Sequence, residues 1–118
     1  PFGFNMAILM GKNTASSSEV VIAALQDQGR AFMVGGKTYG KGVFETTFAT
    51  DNGYRVKFIT GAMYSPKGRS WQTTGLLPDF LADTDDRTLA ALLKIDPKTR
   101  LPRDAALVTA LKLLTRHA

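Results

Sequence analysis

Residues 4–34 read FNMAILMGKNTASSSEVVIAALQDQGRAFMV, and the fold class turns on how this stretch divides. Phe4 to Met10 is a short apolar run of the kind that forms a buried strand. Gly11 to Ala15 is loop. From Ser16 or Ser17 to about Gln28 the spacing predicts a helix: Val21, Leu25 and Gln28 recur at helical intervals, as do Val20 and Ala24, and Gly29 sits where glycine ends helices. Ala31 to Val34 is a second apolar strand, closed by Gly35-Gly36. Strand, helix, strand predicts a βαβ crossover with parallel strands, hence an α/β fold.

Downstream the pattern changes. Val43 to Thr50 and Tyr54 to Met63 are extended runs separated by Asp51-Asn52-Gly53, a strong hairpin signal because Asn and Gly both tolerate positive φ. Ser65-Pro66-Lys67-Gly68 is a second turn. Leu76 to Phe80 reads as a short edge strand, the position that tolerates Pro78. The tail is helical. Asp85-Asp86 precede RTLAALLKI with acids at the favourable end, and Asp96-Pro97 breaks that helix. Pro102-Arg103-Asp104 opens AALVTALKLL, where Leu107, Ala110, Leu111 and Leu114 form one apolar stripe. Met10, Met33 and Met63 read as core.

The 118 residues suffice for one compact domain. The net charge of +5 comes from scattered basic residues with no block of like charge. Nucleic acid would call for a clustered basic face with interleaved aromatics, so no such partner is predicted. No apolar run is long enough to span a bilayer. The absence of cysteine removes disulfides, thiolate metal sites and a thiol nucleophile. His117, the single histidine, is the penultimate residue, which leaves a Ser-His-Asp triad without a base and disfavours a histidine metal site. No cofactor is expected. The opening Pro-Phe-Gly-Phe, with no initiator methionine or signal-like segment, is that expected of a piece of a longer polypeptide.

Two accounts fit the serines of Thr14–Glu19, TASSSE. Ser16-Ser17-Ser18-Glu19 is a capping box, Ser-x-x-Glu ahead of an apolar helix. Alternatively, a serine at a strand-to-helix turn lies beside free helix amides and the positive end of the dipole, where an oxyanion would be stabilised. A serine nucleophile needs a base, and lysine is the candidate left once histidine is set aside.

The wider stretch TASSSEVVIAALQDQGRAFMVGGKTYGKG resembles the signature of the carboxyl-terminal processing peptidases, tail-specific serine proteases with a Ser-Lys dyad. Their pattern runs S/T-A-S-A-S-E, an apolar helix, Q-D-x-G-R-A, an apolar strand, then G-E-x-T-F/Y-G-K-G. YSPKGRSWQTTGLLPDF, Tyr64 to Phe80, is similar to their T-P-x-G-R-S-I-Q-x-x-G-I-x-P-D. By position, the resemblance implies Ser16 as nucleophile, Lys41 as general base, the Ser17 backbone amide as an oxyanion-hole donor, and Asp27 in a supporting role. It implies a ClpP/crotonase-like α/β core at residues 1–80, with 81–118 as a helical extension packing on that core. It also implies an endopeptidase cleaving near the C-termini of protein substrates, in the periplasm or cell envelope of a bacterium, with peptide tails as partners and an upstream PDZ domain in the full-length protein.

Lys41 can take the Ser16 proton only when uncharged. A free lysine titrates near ~10.4, so burial has to disfavour the ammonium. Gly40 and Gly42 allow close backbone approach, and Val43 and Phe44 are expected as apolar walls. Four residues past the lysine many family members carry a glutamine that orients it. Here the residue is Glu45, and a carboxylate there would favour the ammonium. Either Glu45 is protonated, or it points away, or activity is shifted to alkaline pH or weak. Ser17 replaces the family's alanine, harmless to a backbone donor. Gly36-Lys37 replaces Glu-Pro, with Lys37 read as a solvated loop charge. The family's second oxyanion donor, from a Gly-rich loop well before the serine, is not found in the residues preceding Ser16, so the chain is expected to hydrolyse peptides poorly alone.

Two rivals remain at this point. Gly35 to Gly42, GGKTYGKG, nearly matches a P-loop, but Gly42 stands where the Mg²⁺-binding hydroxyl belongs and strand, not helix, is predicted next. A non-catalytic, peptide-binding or structural relative, holding peptide along a strand such as Val43 to Thr50, is favoured by Glu45.

Overall fold

The computed structural model describes residues 3–116; His117 lies outside them. Strand β1 (Ala7–Met10), helix α1 (Ser17–Asp27) and strand β2 (Phe32–Gly35) form the crossover. β1 and β2 pair in parallel from Ala7 opposite Phe32 to Met10 opposite Gly35. Strands β3 (Val43–Ala49) and β4 (Arg55–Ala62) form a separate antiparallel hairpin with a bulge between Phe44 and Glu45. Its turn closes with Gly53 alone at positive φ, +85°, while Asn52 stays in the ordinary range. The short strand β5 (Phe80–Leu81) adds in parallel to the far side of β2, giving the order β1-β2-β5. Helices α2 (Asp86–Leu92), α3 (Pro97–Arg100) and α4 (Ala105–Arg116) follow.

Strand β5 starts later than the predicted Leu76. The Leu76 backbone is already engaged by Thr38, which donates its N–H to the Leu76 carbonyl and accepts the Leu76 N–H on its hydroxyl, and Pro78 has no N–H to give. Asp79 then brings the chain alongside β2. Its carboxylate accepts the Met33 N–H at 2.8 Å and its own N–H reaches the Met33 carbonyl.

The core joins Met10, Ile22, Ala23, Met33, Trp71 and Leu76, with Met63 packed against it. The buried face of α1 follows neither of the spacings read from the sequence. Val20 and Val21 are exposed, whereas Glu19, Ile22, Ala23 and Asp27 are buried. A run apolar on every side carries no phase, and the loops facing α1 supply donors to two carboxylates. Asp96, predicted to break a helix, also starts one: its carboxylate accepts the Thr99 N–H at the head of α3. Helix α4 packs across β1 and β2 with Ala110 buried. No helix among the described residues is long and apolar enough to cross a membrane.

The radius of gyration is 17.6 Å and the long axis 58 Å, against about 13.5 Å expected for a compact chain of this length. The hairpin accounts for the excess. Phe44, Phe48, Val56, Phe58 and Ile59 along it are exposed, and Phe48 and Phe58 meet across the strands at 6.3 Å.

Candidate active site

Ser16 stands where β1 has ended and α1 begins. Its backbone is at φ 59°, ψ −122°, a conformation that strains any residue with a Cβ by about 1–3 kcal/mol. Such a sharp strand-to-helix turn is the device that lifts a nucleophilic serine to the head of a helix in other hydrolase folds. Ser17, first residue of α1, has one of the N–H groups that a helix start leaves without an intrahelical partner.

Glu19 holds the turn and the lysine loop together. Its side chain is fully buried. Oε2 accepts the Ser16 N–H at 2.9 Å, completing a capping box, and the Lys41 N–H at 2.8 Å. Oε1 accepts the Thr38 hydroxyl at 2.5 Å and the Gly40 N–H at 2.7 Å. From sequence Glu19 is legible only as a helix cap. The signal for more was the pairing of its motif with G-K-G in the quoted signature.

The other side of the Lys41 loop rests on residues 71–76. The buried Trp71 donates its indole N–H to the Lys41 carbonyl at 3.2 Å, and Gln72 Oε1 accepts the Gly42 N–H at 2.6 Å. Gly40, at φ +96°, and Gly75, at φ +70°, pass too close for side chains: a Cβ on Gly40 would lie 2.8 Å from the Gly75 nitrogen, and one on Gly75 2.3 Å from the Thr38 carbonyl oxygen. The backbone of Lys41 is therefore clamped from two sides.

Its side chain is freer. It is 43% exposed, so the dry surroundings expected from sequence are not provided by these walls. Phe44 leans over Gly61 of β4 and is itself half-exposed. Glu45 does not point away. Its Oε2 lies 3.7 Å from Lys41 Nζ and 2.7 Å from Lys57 Nζ. The Lys57 ammonium, by hydrogen bond and charge, and then Lys41 hold the Glu45 carboxyl below its ordinary range, so it is ionised at neutral pH.

Asp27 lies at the other end of α1, about 16 Å from Ser16 by helical rise. It is buried against the Ser65–Arg69 turn, accepting the Lys67 N–H at 2.9 Å and bonds from the Arg69 guanidinium. The Ser65 hydroxyl first, then the Lys67 N–H and Arg69, hold its carboxyl below the usual range against the opposing effect of burial. Glu19 thus joins the backbones of Ser16 and Lys41, and Glu45 lies beside Lys41. Asp27 touches none of them and braces the turn that leads to Trp71 and Gln72.

The chain is similar in sequence and fold to known proteins. The chain is 31% identical over 110 residues to a carboxyl-terminal-processing protease of Synechocystis sp., covering 93% of this chain and 24% of that protein. It is 36% identical over 80 residues to a probable CtpA-like serine protease of Staphylococcus aureus, covering 68% and 16%. The chain thus spans a quarter or less of the length of these relatives. Among solved structures, a photosystem II D1 C-terminal processing protease superposes with a TM-score of 0.67 at 30% identity, over 84% of this chain and 27% of that one. A lipoprotein from Streptococcus agalactiae superposes at 0.54 and 26% identity, over 80% and 32%. The α/β fold is shared with part of the D1 C-terminal processing protease. Residues 2–82, from β1 through the serine turn and the lysine loop to β5, match the family model described as Peptidase family S41, and to that family this chain belongs.

Proposed function

We propose that this chain carries the reactive part of a serine endopeptidase that cleaves protein substrates near their C-termini, with Ser16 as nucleophile and Lys41 as base. The observation that carries the reading is the strained Ser16 backbone at the head of α1: strain of this kind persists where function requires it. In the reaction, uncharged Lys41 Nζ takes the Ser16 hydroxyl proton as Oγ bonds to the scissile carbonyl carbon. The Ser17 N–H donates to the resulting oxyanion. Collapse of that intermediate breaks the C–N bond, and the leaving amine takes the proton from Lys41. Water, deprotonated by Lys41 Nζ, then attacks the acyl carbonyl carbon; the C–Oγ bond breaks, and Ser16 Oγ takes the proton back from Lys41 as the new C-terminal carboxyl group leaves. Glu19 positions both residues through their backbones, and Glu45 and Asp27 support the lysine and the 65–72 segment.

The natural substrates are polypeptide tails. The resemblance of its motifs supports a full-length protein that works in the periplasm or envelope, with a PDZ domain ahead of this region. Turnover belongs to that longer protein, and the isolated chain is expected to be slow. The test is a fluorophosphonate probe, which phosphonylates activated serines with loss of fluoride. Labelling at Ser16, lost in Lys41→Met, supports the dyad. Labelling indifferent to Lys41 defeats it.

A second reading has one observation in its favour: Glu45 lies against Lys41 and is ionised. On that reading the chain is a non-catalytic peptide binder of the same fold, and Ser16 stays unlabelled while unstructured peptides bind.

A further inference from the structure

Helix α2 and the single turn Leu101–Arg103 ahead of α4 border a groove of about 300 Å³, lined by Leu92 and Ile95 and by the arginines Arg87 and Arg103. We propose that this face docks on an anionic lipid surface, the two guanidinium groups meeting headgroup phosphates while the groove and the leucines beside it take up apolar lipid. The proposal goes beyond the peptidase reading and stands without it.

The charge of the chain is unevenly placed. From residue 94 to 116, Lys94, Lys98, Arg100, Arg103, Lys112 and Arg116 face only Asp96 and Asp104, so this tail holds four of the five excess positive charges of the whole chain. The carboxylates nearby are engaged. Asp85 and Asp96 accept the Thr88 and Thr99 N–H groups, each at 3.0 Å, Asp86 pairs with Lys12, and Asp104 binds Arg100 at 2.8 Å. Arg87, Lys94 and Arg103 are exposed and have no carboxylate partner among the described residues. Lys94 follows Arg87 by seven residues, about 20° from it around the helix, so the two lie along one line of α2. These cations complement an anionic surface.

Apolar side chains are interleaved with them. Leu93 is 61% exposed beside Lys94, and Leu101 is 41% exposed two residues before Arg103. Leucine set among Lys and Arg is the composition of surfaces that lie in a bilayer interface, with apolar parts among acyl chains and cations at the phosphates. The same stretch argues against nucleic acid. Residues 81–116 contain no Phe, Tyr or Trp, so they offer no ring on which a base could stack, whereas lipid requires none.

The test is flotation of the intact chain with vesicles of phosphatidylcholine, and with vesicles of phosphatidylcholine and phosphatidylglycerol in equal parts. Binding is expected only to the mixed vesicles, and is expected to fall at least about tenfold when salt shortens the screening length to ~3 Å. Equal binding to both vesicles, or binding indifferent to salt, overturns the proposal. These two readings use the unchanged chain and so decide even where a variant fails to fold. Arg87→Gln with Arg103→Gln is expected to weaken binding about thirtyfold, near fivefold for each cation removed. Arg55→Gln with Lys67→Gln removes the same net charge from the hairpin and the 65–68 turn, and is expected to weaken it less than about threefold. Equal losses in the two double variants overturn the proposal, because overall charge would then account for binding. Glycerol phosphate at the same phosphate concentration is expected not to displace the chain, and displacement by it overturns lipid docking in favour of a phosphate site. Binding of a single-stranded oligonucleotide more tightly than the mixed vesicles, weakened by the Arg87 and Arg103 changes, overturns it in favour of nucleic acid.

Discussion

The backbone N–H groups of Ser16 and Lys41 converge on one oxygen, Glu19 Oε2, at 2.9 and 2.8 Å. Helix start and lysine loop are thereby fixed to each other through a carboxylate without access to solvent. Glu19→Gln replaces one of its acceptor oxygens with an NH₂ that faces donors. The expected cost is about 2–4 kcal/mol, since bonds to charged groups are the strong ones and a buried donor left unpaired is costly. Urea denaturation of the two proteins measures it. A loss below about 1 kcal/mol would mean that the four bonds to Glu19 are not formed in solution. Fluorophosphonate labelling of Ser16 is expected to slow in the variant even at temperatures where it stays folded.

Ser16 is strained, and the strain is removable. Glycine accepts φ near +60° without a steric penalty, alanine does not. Ser16→Gly is therefore expected to be more stable than Ser16→Ala by roughly 1 kcal/mol, the relief of strain exceeding the added entropy of the unfolded chain. Both lose labelling. Equal stability of the two variants, read from their thermal midpoints, would show that Ser16 relaxes to an ordinary cap conformation and would weaken the nucleophile assignment.

Trp71 stands where the family pattern has isoleucine, and its indole N–H reaches the Lys41 carbonyl. Trp71→Phe keeps an aromatic ring in the core but loses that bond. The expected destabilisation is about 1–2 kcal/mol from the unpaired carbonyl and the small loss of volume. Amide exchange at Gly40 to Gly42, measured by NMR, is expected to quicken. Unchanged exchange there would mean that the loop is held by Glu19 and Gln72 alone.

Asp27 makes stability depend on acid. Its carboxyl is held below the ordinary range by the Ser65 hydroxyl, the Lys67 N–H and Arg69. A carboxyl depressed by folding adds stability that is fully present above its unfolded pKa, near ~3.9, and is lost as pH falls through the lower folded value. The wild-type protein is expected to lose stability on going from pH 5 to below about pH 3 more steeply than Asp27→Asn. Parallel curves in chemical denaturation at several pH values would show that the Asp27–Arg69 contact carries no net weight.

What could be read in advance follows from how local each signal is. The crossover was legible because β1, α1 and β2 are contiguous and bounded by Gly11, Gly29 and Gly35-Gly36. The hairpin was legible because Asn52-Gly53 separates two extended runs. The face of α1 was not, because VVIAAL is apolar all round and the deciding residues, Glu19 and Asp27, are buried by partners 21 to 42 positions away at Gly40, Lys41, Lys67 and Arg69. The start of β5 was missed for the same reason: Thr38 holds the Leu76 backbone across the fold. For the candidate site, the spacing of motifs singled out Ser16 and Lys41. It carried no information about the exposure of the lysine side chain, which depends on where Phe44 and the hairpin project.

The Glu45 carboxylate gives the remaining prediction. It lies 3.7 Å from Lys41 Nζ, and Lys57 is its nearer partner. If Lys41 acts as base, the fraction of uncharged amine limits labelling or hydrolysis at low pH. Removing a negative charge beside an ammonium makes the charged form less favourable. Glu45→Gln is therefore expected to move the acid limb of the pH–rate profile to lower pH. Lys57→Gln acts in the opposite sense, because Glu45 then has only Lys41 to pair with, and it is expected to move the limb to higher pH. The double variant lacks both charges, and its limb is expected near that of Glu45→Gln, since the lysine change acts through the carboxylate. Salt should narrow these differences, because the three side chains are partly exposed. A limb that stays in place in Glu45→Gln, with Ser16 still reactive, would mean that the lysine titrates without sensing its nearest carboxylate and that proton transfer from Ser16 is limited by another group.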